Sequence, residues 1–172
     1  MQTDEIAELA ARAHAGQTDK LGRDYFTAHL SPIAAGAWVF GEQAVQAAWL
    51  HDILEDTDTT AEQLREAGVD AEIVAAVESV TRRRGESYED LIQRSCLHPI
   101  GRLVKLVDNA WNIMSNPELA QIDPGHAKLL LEQRYYPARD RLLAAIGINQ
   151  CWLGYTELQR VLEAERDALA AS

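Results

Sequence analysis

The chain of 172 residues contains no apolar run approaching the ~20 residues of a membrane span. Its opening stretch, MQTDEIAELAARAH, lacks the apolar core of a secretory signal. Both absences point to a cytoplasmic protein. Cysteine is scarce: Cys96 and Cys151 have neither metal-ligand spacing nor a disulfide-framework pattern, so two free buried thiols are expected. Basic residues are also few, 16 against 27 acidic ones, a net charge of -11. That balance excludes a general nucleic-acid binder, which needs a basic face to neutralise phosphates. Any anionic ligand must be held by local cations against the overall field. No alternating strand pattern, internal repeat or low-complexity tract is evident.

What remains is helical periodicity throughout, in a chain whose length suits one domain rather than two very small ones. In DEIAELAARAH, Ile6, Leu9, Ala10 and Ala13 share one face of an amphipathic helix. AGQTDKLGRDYFTAH reads as a loop, followed by a helix with Ser31 as cap and Pro32 in its first turn, ending near Phe40 before Gly41. Glu42 to about Glu55 forms a core helix, and Thr59 with Glu62 makes a capping box for a short helix ending at Gly68. Further helices cover 70–80, about 88–96 and the stretch IGRLVKLVDNAWNIM, with TRRRGES and NPELAQIDPG as loops. Pro137 should kink or divide the long helix HAKLLLEQRYYPARDRLLAAIG, and a last amphipathic helix runs from about 150 to 168. The fold class is therefore all-α, with roughly eight to ten helices joined by short loops.

Two anomalies carry chemistry. In AAWLHDILEDTDTT an apolar helix abruptly presents His51, Asp52, Glu55, Asp56 and Asp58. Carboxylates crowded at the end of a buried helix repel one another and are costly to desolvate, and a divalent cation relieves both penalties. A frayed, solvated helix end explains Asp56 and Asp58 but not His51-Asp52 after Ala47-Ala48-Trp49-Leu50. In RLVKLVDNAWNIMS, Lys105, Asp108, Asn112 and Ser115 form a narrow polar stripe on an otherwise apolar helix. An exposed stripe would ordinarily carry solubilising charges instead. His29, between a loop and a helix, would ordinarily cap or pack, as His14, His98 and His126 are expected to do. Together His29, His51, Asp52 and Asp108 offer two imidazoles and two carboxylates, a set suited to manganese, iron or zinc.

In that order, His29, His51-Asp52 and Asp108 resemble the metal-ligand signature of HD-domain phosphohydrolases. AHAGQTDKLGRDYFTAH, LHDILEDT, VTRRRGESY and VKLVDNAWN are similar to successive motifs of the alarmone hydrolase domain of Rel/SpoT enzymes and of stand-alone small alarmone hydrolases. The resemblance spans about residues 10–115, with the helices of about 125–170 packing on that core, and treats 1–172 as a single HD-type domain. The chain is too short for an added synthetase domain, so hydrolysis without synthesis is implied. The resemblance also implies a compact HD fold and a manganese-dependent removal of pyrophosphate from a nucleoside 3′-diphosphate such as (p)ppGpp. It assigns His29, His51, Asp52 and Asp108 to the metal, and Glu55 and Asp56 to activating the attacking water. Lys20 falls near the phosphates, and Asn112 and Ser115 at the nucleoside, Ser115 keeping the hydroxyl of the usual threonine.

The chain departs from the family pattern at several places. Asp19 stands where an arginine that commonly stacks on the base is usual, and Asp24 where a proline is. His29 is followed by Leu30-Ser31-Pro32 rather than directly by proline, and DNAWN lacks a basic residue found in relatives. Lys20, Arg23, Lys105 or the Arg82–Arg84 loop would counter phosphate charge. The alternatives are an HD phosphatase acting on an adenine alarmone, a nucleoside monophosphate or NADPH, and a non-catalytic nucleotide sensor. The expected partner is a small phosphorylated nucleotide, with no nucleic acid and no membrane. Trp152, Tyr155, Leu158 and Leu162 could form a homo-oligomer interface, although packing within the chain is the commoner use of such a face.

Overall fold

A computed structural model describes residues 1–171. The helices, in chain order, are α1 (Thr3–Ala13), α2 (Ser31–Ala37), α3 (Glu42–Trp49), α4 (Ile53–Asp56), α5 (Ala61–Glu66) and α6 (Ala71–Val80). They continue with α7 (Tyr88–Leu97), α8 (Gly101–Ile122), α9 (Pro124–Leu130), α10 (Tyr136–Ile146) and α11 (Leu153–Ala171). The all-α expectation holds: among the described residues the only strand-like pairing is one antiparallel bridge, Thr18 with Asp24. No described helix is long and apolar enough to cross a membrane.

The core gathers around α8. Val104, Leu106, Val107, Ala110 and Trp111 are buried on it, and α2, α3, α6, α7, α10 and α11 pack against it. Gly36 lets α2 approach both α8 and α11, since a Cβ there would lie 2.8–2.9 Å from the side chains of Leu162, Leu158 and Val107. Tyr155, Leu158 and Leu162 are buried in this core and Trp152 stacks on Phe40, so the face considered for an oligomer packs within the chain.

Several boundaries differ from expectation, each for a local reason. The Glu42–Glu55 helix is divided: Leu50 N–H bonds to Ala47 O and Ile53 N–H to Leu50 O, so tighter bonds replace the α-helical ladder around His51. Both Leu50 and Ile53 are fully buried, and the core holds that turn in place. The capping box lies one residue later than expected, on Thr60 and Gln63. His29 sits not in a loop but in a wide π-helical turn, Phe26–Leu30, that runs straight into α2, so Ser31 is helical rather than a cap. Asp24 begins this turn by accepting the Thr27 N–H on Oδ1 at 3.0 Å. The expected loop NPELAQIDPG is largely helix, because α8 continues through exposed Pro117. A proline inside a helix costs roughly 3 kcal/mol. Packing beside it offsets part of that cost, for buried Asn116 donates from Nδ2 to Ala127 O at 3.1 Å. Pro137 does divide its helix, at the π turn Leu131–Tyr135. Cys96 is partly buried and Cys151 exposed, which corrects the expectation of two buried thiols.

Candidate metal centre and nucleotide cavity

The interrupted helix has a chemical consequence. The turn between α3 and α4 aims the His51 ring inward, where its Nδ1 lies 2.7 Å from Ala48 O. That carbonyl fixes the proton on Nδ1 and presents the Nε2 lone pair to the site. Nε2 is buried and lies 2.9 Å from Asp52 Oδ2, yet out of line for a hydrogen bond. Two acceptors held at that distance repel each other unless a cation, a proton or a metal, binds there.

The other groups converge on the same point. His29 Nε2 is 3.2 Å from Asp52 Oδ2 and 3.9 Å from Asp108 Oδ1. Ligand atoms of His29, His51 and Asp108 all lie within 4.8 Å of one another, close enough for one divalent ion. Asp52 adds a carboxylate oxygen between the two imidazoles. The mixed nitrogen and oxygen donors, together with the unpartnered Nε2, fit a first-row divalent metal.

Neighbouring residues orient these groups. Tyr25 Oη donates to Asp52 Oδ2 at 2.5 Å and approaches Asp56 Oδ2 at 3.4 Å. Its ring stacks on His14 and lies tilted against His29. Lys105 Nζ donates to Asp108 Oδ2 at 2.7 Å, and Asn112 Nδ2 donates to Asp108 Oδ1 at 2.5 Å. Trp111 Nε1 donates to Ala28 O at 3.1 Å and so fastens the His29 turn to α8.

The electrostatics follow from this crowding. Burial disfavours a charged His51, but the Asp52 carboxylate outweighs it and raises the group to about 9. Burial likewise opposes ionised Asp52, while His51 and His29 hold it well below the usual carboxylate range. Asp108 is lowered by the Lys105 ammonium against the same burial cost. Burial and then the Asp52 charge push Tyr25 far up, so it remains a hydroxyl donor. Glu55 is raised by burial and by Asp52, even though its Oε2 accepts the Arg82 N–H at 2.9 Å.

A cavity of about 270 Å³ opens from this centre, walled by Lys20, His29, Asp52, Glu55, Asp108, Asn112 and Ser115, among others. The polar stripe on α8 thus lines this cavity. Asp56 is not on that wall: it stands behind Tyr25, and its backbone carbonyl accepts from Gln17 Nε2 at 2.7 Å. Lys20 Nζ is 3.3 Å from Tyr135 Oη. Asp58 is exposed, as a solvated helix end would leave it.

Sequence reasoning passed over Tyr25, Tyr88, Arg134 and Tyr135. Tyr25 had a signal, since it precedes His29 by four residues, one helical turn. Arg134 and Tyr135 had none, because they reach the cavity from the π turn more than a hundred positions beyond Lys20. His14 keeps the packed role expected of it, with Nδ1 2.7 Å from Gln17 Oε1.

The fold is all-α, and an interior cluster brings together two histidines and two carboxylates. The same fold occurs in a metazoan ortholog of SpoT that hydrolyses ppGpp, with a TM-score of 0.64 over 96% of this chain and 94% of that one, at 18% identity. In sequence, 116 residues are 33% identical to the guanosine-3′,5′-bis(diphosphate) 3′-pyrophosphohydrolase of Aquifex aeolicus (strain VF5). That alignment takes in 62% of this chain but spans only 16% of the length of the curated relative. No protein-family model matches the sequence.

Proposed function

We propose that the chain is a metal-dependent phosphohydrolase that releases pyrophosphate from a nucleoside 3′-diphosphate such as (p)ppGpp. The observation that carries this reading is the meeting of His29, His51, Asp52 and Asp108 at one end of a cavity that also holds unpaired cations. Among the described residues, the side-chain cations of Lys20, Arg82 and Arg134 make no ion pair with a carboxylate, yet all three line the cavity. The similarity to a 3′-pyrophosphohydrolase and to the fold of a ppGpp hydrolase supports the same chemistry.

Manganese held by His29, His51, Asp52 and Asp108 would polarise a phosphoryl oxygen and make water more acidic. The remaining work falls to the chain. Glu55, on the cavity wall with its affinity for protons raised, accepts a proton from water as its oxygen attacks the phosphorus on the ribose 3′ oxygen. The bond from phosphorus to the 3′ oxygen breaks, and that oxygen takes a proton from solvent, to which Glu55 returns the one it accepted. Tyr25 holds Asp52 in orientation, and Asp56 acts through Tyr25. Lys20, Arg82 and Arg134 neutralise the departing pyrophosphate, while Asn112 and Ser115 face the nucleoside.

We further read residues 1–172 as one domain that works in the cytoplasm, where such nucleotides occur. Incubation of the purified protein with manganese and guanosine tetraphosphate should release pyrophosphate, and chelation should stop it. Release equal to that of a His51→Ala control would sink the proposal. Phosphate release from an adenine alarmone, a nucleoside monophosphate or NADPH, with none from guanosine tetraphosphate, would select the second substrate class instead.

A further inference from the structure

We propose that Arg23 is the platform on which the nucleobase stacks, with Asp19 and Glu118 as the positioning residues that hold its guanidinium flat. The proposal rests on the nucleotide reading above and names the part of the cavity that takes the base.

The loop carrying Arg23 is stiff. Thr18 and Asp24 form their bridge across it, Asp19 N–H bonds to Arg23 O at 2.8 Å, and Gly22 turns the chain at φ +79°. Asp19 closes the turn from within: its Oδ1 accepts the N–H groups of Leu21 and Arg23, both at 2.9 Å. The acid at position 19, although on the cavity wall, is therefore committed to its own loop.

Asp19 Oδ2 then accepts from Arg23, at 2.9 Å from Nε and 2.8 Å from Nη2. On the other edge Arg23 Nη1 donates to Glu118 Oε2 at 2.7 Å, which ties the loop to α8. With carboxylates on both edges, the guanidinium is fixed in its plane, and what it has left to offer is its face. Two carboxylates around one cation also leave a local charge of about -1, which repels phosphate. A flat, neutral, aromatic group is the ligand that such a face accepts, as arginine planes do for unpaired bases.

The placement agrees. Glu118 lies ten positions beyond Asp108 on α8, about 15 Å along the helix. The wall between them carries Asn112, Ser115 and Asn116, and Leu21 and Leu119 flank the Arg23 end with apolar surface. The Asp108 end and the base platform thus lie apart, and the polar stripe of α8 connects them.

The test uses Arg23→Met, which removes plane and charge, and Arg23→Lys, which keeps a cation for both carboxylates but has no plane. Thermal melting would first check that both variants fold. Each should raise KM for guanosine tetraphosphate about tenfold, as expected for the loss of one base-stacking partner, with kcat within about twofold of wild type. Each should weaken calorimetric binding of guanosine 5′-diphosphate without metal by a similar factor. Unchanged GDP affinity in the folded variants, or wild type that does not bind millimolar GDP, would overturn the platform. Arg23-dependent GDP binding without hydrolysis of the tetraphosphate would instead overturn the phosphohydrolase reading and leave the platform standing.

Discussion

At one end of the cavity, His29, His51-Asp52 and Asp108 arrive from three separate segments of the chain. At the other, Asp19 and Arg23 belong to a single loop and need only Glu118 from elsewhere. The metal end consists of buried groups whose charges are tolerable only in each other's company, so each residue there depends on all the others. The far end is half-exposed and locally closed, with its carboxylates satisfied by backbone N–H groups and one arginine. Substitution should therefore act on the two ends in different ways: loss of turnover at the first, and loss of affinity at the second.

The largest effect is expected from His51→Ala. Removing the ring leaves Asp52 facing His29 without its second imidazole, and turnover should fall by roughly a thousandfold or more. Elemental analysis should find little manganese in this variant after gel filtration, and a fully active, metal-loaded variant would break the comparison. Glu55→Gln comes next, with kcat reduced by about 10²–10⁴ and metal content unchanged. Loss of metal in that variant would move Glu55 from proton acceptor to ligand.

Tyr25→Phe sharpens the contrast from behind the ligands. It removes the hydroxyl that donates to Asp52 while keeping the ring between His14 and His29. Metal affinity or activity should drop about 10-fold, the scale of a group that orients a ligand. A titration with manganese would show whether the loss is one of affinity.

The smallest effect on turnover belongs to Glu86→Gln, which instead reports on stability. Arg94 hydrogen bonds hold Glu86 at about 2, against an ordinary value of 4.5. A lowered carboxylate contributes stability that is fully present above about 4.5 and lost as pH falls through about 2. Denaturant melts from pH 7 to 2 should show the variant weaker by about 1–3 kcal/mol at neutral pH and converging on wild type in acid. A constant difference across that range would remove Glu86 as the titrating group.

Much of this was legible beforehand because helix periodicity is a local property. Segments with apolar residues on one face became α1, α6, α7 and α11 close to their expected spans. The misread segments were those in which a distant contact overrode a local signal. Pro117 looked like a helix breaker, yet Asn116 and its neighbours pack α8 against α9 and carry the helix past it. Asp19 looked like a charge reversal in a binding loop, and only folding shows that it faces its own backbone. Tyr135 and Arg134 could not be found from spacing, since nothing local marks a residue that reaches Lys20 from the far end of the chain.

The sequence by itself determined an all-α chain and singled out His51-Asp52 and the stripe from Lys105 to Ser115 as polar groups on apolar helices. That information is intrinsic, because side-chain type and helical period decide which residues water will not accept. The tertiary structure decided that α3 breaks at Leu50 and swings His51 inward, that the α8 stripe faces a cavity, and that Glu55 lies on the wall while Asp56 stands behind Tyr25. It also decided which cations are neutralised and which remain unpaired. Such outcomes depend on distances between groups far apart in the chain, and these exist only once the core around α8 has closed.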